Sequence, residues 1–249
     1  MTKAIEVNNL GVCYRNVEAL KEISISVRSG RVTGIIGPNG AGKSTLIKAM
    51  LGLIPARSGS VVYDNKPLEE QLEIVSYVPQ RSQIDWTYPA TVWDVVMMGR
   101  VRKTGWFRRF SSMSRRIARE ALERVDMAAY SNRAIGQLSG GQQQRVFLAR
   151  SLAQEGEIFF FDEPFAGVDR KTENIIFNIF RELAATGKTV LVVNHDLGES
   201  ITNFDDLILL NKKLIAAGAR EDVFVENNLN RAYGGKVKFF SSPRRSLVA

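Results

Sequence analysis

The chain has 249 residues, 45% of them hydrophobic, with 34 Lys and Arg against 26 Asp and Glu and a formal net charge of +8. That length and apolar content allow a sizeable core in one domain with a subdomain, and nothing points to two full domains. The lone Cys13 excludes an internal disulfide and a cysteine metal site, the segment Met1 to Glu6 has no signal-peptide pattern, and no apolar run approaches the roughly 20 residues of a membrane helix; a cytosolic protein is expected.

In chain order, parts of Ile5 to Tyr14 and all of Ile23-Ser24-Ile25-Ser26-Val27 alternate with period two. They predict half-buried strands, hence an antiparallel β layer ahead of the rest. Next, the apolar Val32, Ile35 and Ile36 lead into Gly37-Pro38-Asn39-Gly40-Ala41-Gly42-Lys43-Ser44, and the helical pattern Leu46, Ile47, Met50 and Leu51 follows. This is Walker A spacing in the strand, loop and helix context it requires. Glycines at 37, 40 and 42 allow positive φ and bring backbone amides close to phosphate oxygens. The helix starting near Gly42 directs partial positive charge at the same place, Lys43 can reach the β- and γ-phosphates, and the Ser44 hydroxyl can ligate Mg²⁺. The expected ligand is ATP with Mg²⁺, and Thr45 is counted with the loop.

A strand at Ile74 to Val78 ends at Pro79-Gln80, and the pattern then turns helical as far as Glu157, most clearly at Val92 to Met98 and Arg115 to Val125. Leu138-Ser139-Gly140-Gly141-Gln142 opens a helix continuing through Gln144, Val146, Phe147, Ala149 and Leu152, so the amides of 139–141 and the Ser139 hydroxyl form a second anion-binding terminus. The wholly apolar Ile158-Phe159-Phe160-Phe161 reads as a central parallel strand, and Asp162-Glu163 stand at its carboxyl end, where open α/β sheets place ligands. Thr189 to Asn194 is another strand, followed by His195, the single histidine, and Leu207 to Leu210 is a further one. The tail from Asn227, with Gly234-Gly235 and Ser241-Ser242-Pro243-Arg244-Arg245, is polar and expected to be partly mobile.

Arg100, Arg102, Lys103, Arg108, Arg109, Arg115, Arg116 and Arg119 crowd one stretch with Trp106, Phe107 and Phe110 interleaved. A solvated loop, a face beside the anionic leaflet of a membrane and a nucleic-acid surface all fit such a run.

Together, the phosphate loop, Leu138 to Gln142 and the strand ending in Asp162-Glu163 resemble the ATP-binding cassette family over about residues 3 to 220. The resemblance implies an α/β fold: a P-loop NTPase core with a mostly parallel sheet (about 1–80 and 157–220), an N-terminal antiparallel β layer, an inserted helical subdomain (about 81–156) and a tail (about 221–249). It implies that Asp162 holds Mg²⁺, that Glu163 is the general base, and that His195 is the switch histidine contacting the γ-phosphate and the attacking water. Gln80 is similar to the Q-loop glutamine that touches Mg²⁺, Tyr14 to the aromatic that stacks on adenine, although an aromatic in an alternating strand is more often packed core, and Asp169 to the D-loop residue that meets the partner subunit. Ser139 to Gln142 is similar to the signature that closes over ATP held by the other subunit, so an isologous homodimer with two shared sites is expected.

Within the family, Ser82 to Arg100 and Asp162 to Asp169 resemble the ATPases of manganese, zinc and iron importers. The expected partners are integral membrane permease subunits and, indirectly, an extracytoplasmic metal-binding protein, with the chain on the cytoplasmic face of the membrane. Manganese is placed before zinc or an iron chelate. Asn194 departs from the threonine or histidine of many relatives. The competing reading is a soluble ATPase acting on nucleic acid or ribosomes; such proteins carry a coiled-coil insertion or a second cassette, neither of which is present here, and no nucleic-acid partner is expected.

Overall fold

The computed structural model describes residues 4–15, 17–105 and 108–235. Trp106, Phe107 and the segment from Ser241 to Arg245 lie outside the described residues. In chain order the elements are β1 (Ala4–Tyr14), β2 (Val17–Arg28), β3 (Val32–Ile36), α1 (Lys43–Met50), β4 (Ser58–Tyr63), β5 (Lys66–Pro67), β6 (Val75–Val78), α2 (Val92–Met98), α3 (Val101–Thr104), α4 (Ser112–Arg124), α5 (Gly140–Ala153), β7 (Ile158–Asp162), α6 (Arg170–Ala185), β8 (Thr189–Val193), β9 (Asp206–Asn211), β10 (Lys213–Ala219), α7 (Arg220–Val223) and α8 (Glu226–Tyr233).

The alternating amino-terminal strands form an antiparallel sheet of order β2-β1-β4-β5, with Ile5 opposite Val27 and Val7 opposite Ile25. The second sheet has order β10-β9-β3-β8-β7-β6 and is parallel except where β10 returns antiparallel to β9. Each central strand feeds two cores. Ile158 and Phe160 of β7 pack with Leu191 and Val193 of β8 against the antiparallel layer, while Phe159 and Phe161 pack with Val190 and Val192 against the helices. An apolar run without alternation is therefore what a strand covered on both faces needs.

The helices between β6 and β7 bury one shared face, including Val92, Val95 and Val96 of α2, Ala118, Ala121 and Leu122 of α4, and Val146, Phe147 and Ala149 of α5. A capping box starts α2, with Thr91 Oγ1 accepting from the Asp94 amide and Asp94 Oδ2 accepting from the Thr91 amide. Arg100 is not part of a solvated charge run. It is 5% exposed, donates to Ala153 O at 2.7 Å and to Glu155 Oε2 at 2.6 Å, and Lys103 joins the same carboxylate. Arg102, Arg108, Arg109, Arg115, Arg116 and Arg119 are exposed.

Several elements escape periodicity. β4 begins Ser-Gly-Ser and is exposed over that half, so its strand state comes from pairing, Val61 opposite Val7. The Ala- and Gly-rich β10 is likewise held by β9. The polar tail is ordered further than expected: α8 buries Leu229 and Ala232, and Asn211 Nδ2 donates to Ala232 O at 2.9 Å.

Because β3, β6, β7 and β8 are parallel, the residues that follow them emerge along one edge of the sheet. These are Gly37 to Ser44, Gln80, Asp162-Glu163 and His195.

Candidate active site

Gly37 has φ 151°, and a Cβ there would lie 2.0 Å from Leu210 O; Gly42 has φ 95°, and a Cβ there would lie 2.5 Å from Leu20 Cδ2. No other residue fits either position, and Gly42 is the residue from which α1 starts. Lys43 is buried, and its Nζ donates to Gly37 O at 2.8 Å and Pro38 O at 3.0 Å, holding the ammonium across the loop. Burial pushes its pKa below the usual lysine value, against the opposing pull of Glu163 and Asp162.

Asp162 is buried at the end of β7. Its Oδ1 accepts from Ser44 Oγ at 2.9 Å, while the buried Oδ2 has no hydrogen-bond partner. Burial raises its pKa above the usual aspartate range, the Ser44 hydrogen bond pulls it down, and Glu163 pushes it up. An orphaned carboxylate oxygen beside a hydroxyl is an all-oxygen donor set, which fits a hard cation such as Mg²⁺.

Glu163 follows with φ 53°, a left-handed backbone that is strained for a glutamate, and its amide donates to Val193 O at 3.2 Å. Its Oε2 accepts from Gln80 Nε2 at 2.7 Å and lies 3.9 Å from His195 Nδ1. Asn39 to Thr45, Gln80, Glu163 and His195 line one open cavity of about 530 Å³. Its basic loop, carboxylate and imidazole converge on the volume a bound phosphate chain would take, the arrangement hydrolysis of a terminal phosphate requires.

Asn194, a departure in sequence, turns out to shape the histidine loop. It is buried, its Nδ2 donates to Asp196 O at 3.0 Å and Ser200 Oγ at 3.1 Å, and its Oδ1 accepts from the Asp196 amide at 3.1 Å. Asparagine makes two donations and one acceptance here through separate atoms, whereas the hydroxyl of a threonine has a single hydrogen to donate.

The remaining sequence candidates do not line this cavity. Ser139 is the N-cap of α5, its Oγ accepting from the Gln142 amide while Gln142 Oε1 accepts from the Ser139 amide at 2.9 Å, a capping box. Gly140 and Gly141 form the first turn. Asp169 caps α6 by accepting from the Thr172 amide at 2.7 Å, which holds its carboxyl below the usual range. Tyr14 is 47% exposed at the end of β1, so its ring is not packed into the core.

The family model described as ABC transporter matches residues 20–166, more than half of the chain. The chain belongs to the ABC transporter family. This cassette is 47% identical to the manganese transport system ATP-binding protein MntB of Listeria innocua, across 92% of this chain and 96% of that protein. It is 46% identical to the zinc transport system ATP-binding protein TroB of Treponema pallidum, across 97% and 91%. Among solved structures, an ATP-binding cassette of an ABC transporter in its ADP conformation superposes with a TM-score of 0.82 at 28% identity, covering 95% of this chain and 100% of that one. A bacterial ABC transporter cassette solved as a dimer gives a TM-score of 0.77 at 28% identity, covering 87% and 98%. The cassette is thus an α/β P-loop NTPase and an ATPase of the ABC type, binding ATP and coupling its hydrolysis to transport. No helix among the described residues is long and apolar enough to cross a membrane.

Proposed function

We propose that this cassette energises import of a divalent metal ion, manganese before zinc or an iron chelate, through a separate membrane permease. The observation that carries the reading is the 47% identity to MntB across 92% of this chain. The similar identity to TroB keeps zinc as the second reading.

In this reading Lys43 and the backbone amides between Asn39 and Thr45 hold the phosphates, and Tyr14 stacks on adenine. Ser44, Asp162 and Gln80 would hold Mg²⁺, which would supply neutralisation of the negative charge on the phosphates. Glu163 takes the proton of the attacking water, and His195 fixes that water and the γ-phosphate. Ser139 to Gln142 and Asp169 complete the partner's site in a homodimer, a reading supported by the likeness to a cassette solved as a dimer. Shared γ-phosphate then joins the subunits, and hydrolysis parts them.

Residues of about 1–80 and 157–220 serve as the core, about 81–156 as the helical subdomain and about 221–249 as the tail. Leu51, Leu53, Leu72, Met98 and Arg150 line a groove of about 320 Å³ whose Leu53 and Met98 are 55% and 45% exposed. An apolar hollow of this shape suits a short helix of the permease at the cytoplasmic face of the membrane, with the extracytoplasmic metal-binding protein acting from the far side. The test is reconstitution with the permease in vesicles. ATPase activity that rises when the permease is loaded with metal supports the reading, and activity indifferent to the permease refutes it.

A further inference from the structure

The phosphate loop is backed by the carboxyl-terminal part of the chain. Leu210, near the end of β9, crowds Gly37 so closely that a Cβ on the glycine would lie 2.0 Å from the Leu210 carbonyl oxygen. Lys212, at the turn between β9 and β10 with φ 58°, donates its amide to Ala41 O at 2.8 Å. Between these two, Asn211 Nδ2 donates to Ala232 O at 2.9 Å and pins the last turn of α8 to the same corner. Tyr233 ends α8. It packs against the core cluster that holds Ile36 and Leu209, and its hydroxyl is buried with no hydrogen-bond partner among the described residues. Burial pushes the phenol up to about 12, and the Gly37 backbone pulls it the other way. A backbone group that favours the phenolate is a donor, so the Gly37 amide faces the hydroxyl.

We propose that Tyr233 is a positioning residue for the nucleotide: its hydroxyl stands ready to accept from the Gly37 amide, and by fixing Gly37 it sets the loop that receives the phosphates. The proposal rests on the reading that Lys43 and the amides between Asn39 and Thr45 hold those phosphates. Gly37, at φ 151°, has the widest choice of backbone states, so the cost of ordering the loop is concentrated where the chain leaves β3. A buried hydroxyl without a partner is unfavourable, and a hydrogen bond to Gly37 removes that penalty and the glycine's freedom together. A loop ordered before ATP arrives binds it more tightly. Tyr233 does not line the cavity of Glu163 and His195, so it acts on affinity and leaves turnover alone.

The test measures equilibrium binding of ATP and ADP, steady-state kcat and KM, and Tm for the full chain carrying Tyr233→Phe, which keeps the ring and removes the hydroxyl. Leu229→Ala, which hollows the core under the same helix, and Lys43→Ala are the comparisons. Tyr233→Phe is expected to weaken binding of both nucleotides and to raise KM by about fivefold, the equivalent of one neutral hydrogen bond, with kcat at the wild-type value and Tm not lowered. Leu229→Ala is expected to lower Tm while KM and kcat, read well below the melt, stay at wild-type values. Wild-type affinity for both nucleotides in Tyr233→Phe would overturn the proposal. So would an equal rise in KM in Leu229→Ala, which would reduce α8 to a support. If Lys43→Ala binds ATP like the wild type, the phosphate-loop reading itself falls, and this inference with it.

Discussion

Gln80 Nε2 donates to Glu163 Oε2 over 2.7 Å, so the carboxylate oxygen 3.9 Å from His195 Nδ1 is already held by a residue just past the end of β6. One amide thus ties together the ends of the neighbouring parallel strands β6 and β7. It orients Glu163 towards the cavity it shares with Lys43 and His195.

Replacing Glu163 by Gln keeps the size of the side chain and its contact with Gln80 but removes the base. The expected result is ATP binding close to wild type with turnover lower by about 10² to 10⁴-fold. Steady-state hydrolysis beside equilibrium ATP binding checks it; wild-type turnover would remove Glu163 from the chemistry.

Asp162 opposes stability to function. Its folded-state pKa is raised by burial, so the stability tied to it is fully present below the ordinary aspartate pKa and is lost as pH rises through the raised value. Asp162→Asn removes that loss. At neutral pH the nucleotide-free variant should melt higher, by about 2–4 °C per kcal/mol relieved, and the difference should vanish as pH falls towards the ordinary aspartate range. The same variant should lose the rise in Tm that Mg²⁺ with ATP gives the wild type. Thermal melts across pH, with and without Mg·ATP, measure both effects.

Asn194→Ala removes three hydrogen bonds around the His195 turn. The expected outcome is a kcat about tenfold lower, from one misplaced catalytic contact, with ATP affinity unchanged. His195→Ala should abolish hydrolysis and also keep binding. Equal losses in kcat and ATP affinity for Asn194→Ala would show that the turn does more than place the histidine.

Met98→Glu puts a charge at the rim of the apolar groove without touching the cavity around Lys43. Basal ATPase of the isolated chain should stay at the wild-type rate, while co-purification with the permease should be lost. Retained co-purification would move the docking surface elsewhere.

Much of this architecture is legible in the chain because its demands are local. The phosphate loop needs glycine at 37 and 42 for steric reasons, and Phe159 to Phe161 must be apolar because both faces of β7 are covered. The site residues stand at the ends of parallel strands, so finding the strands finds the site. What pattern reading misses depends on partners remote in sequence. β4 and β10 become strands through the neighbours they pair with, and the burial of Leu229 and Ala232 in α8 marks only two positions in a polar segment. Arg100 looks like one charge among many until Glu155 and Ala153 are folded beside it. Arg81 Nε donates to Gln143 Oε1 at 3.1 Å across 62 residues of sequence, and no spacing rule joins them.

The most direct test of the central claim is uptake of trace-labelled manganese and zinc by cells carrying the wild type or Glu163→Gln, with external metal limiting. Loss of manganese uptake in the variant, with zinc uptake retained, is the predicted result. Loss of zinc uptake alone would reassign the ion. Unchanged uptake of both metals, in cells where the variant still forms ATP-bound dimers, would leave the ATPase standing and contradict metal import.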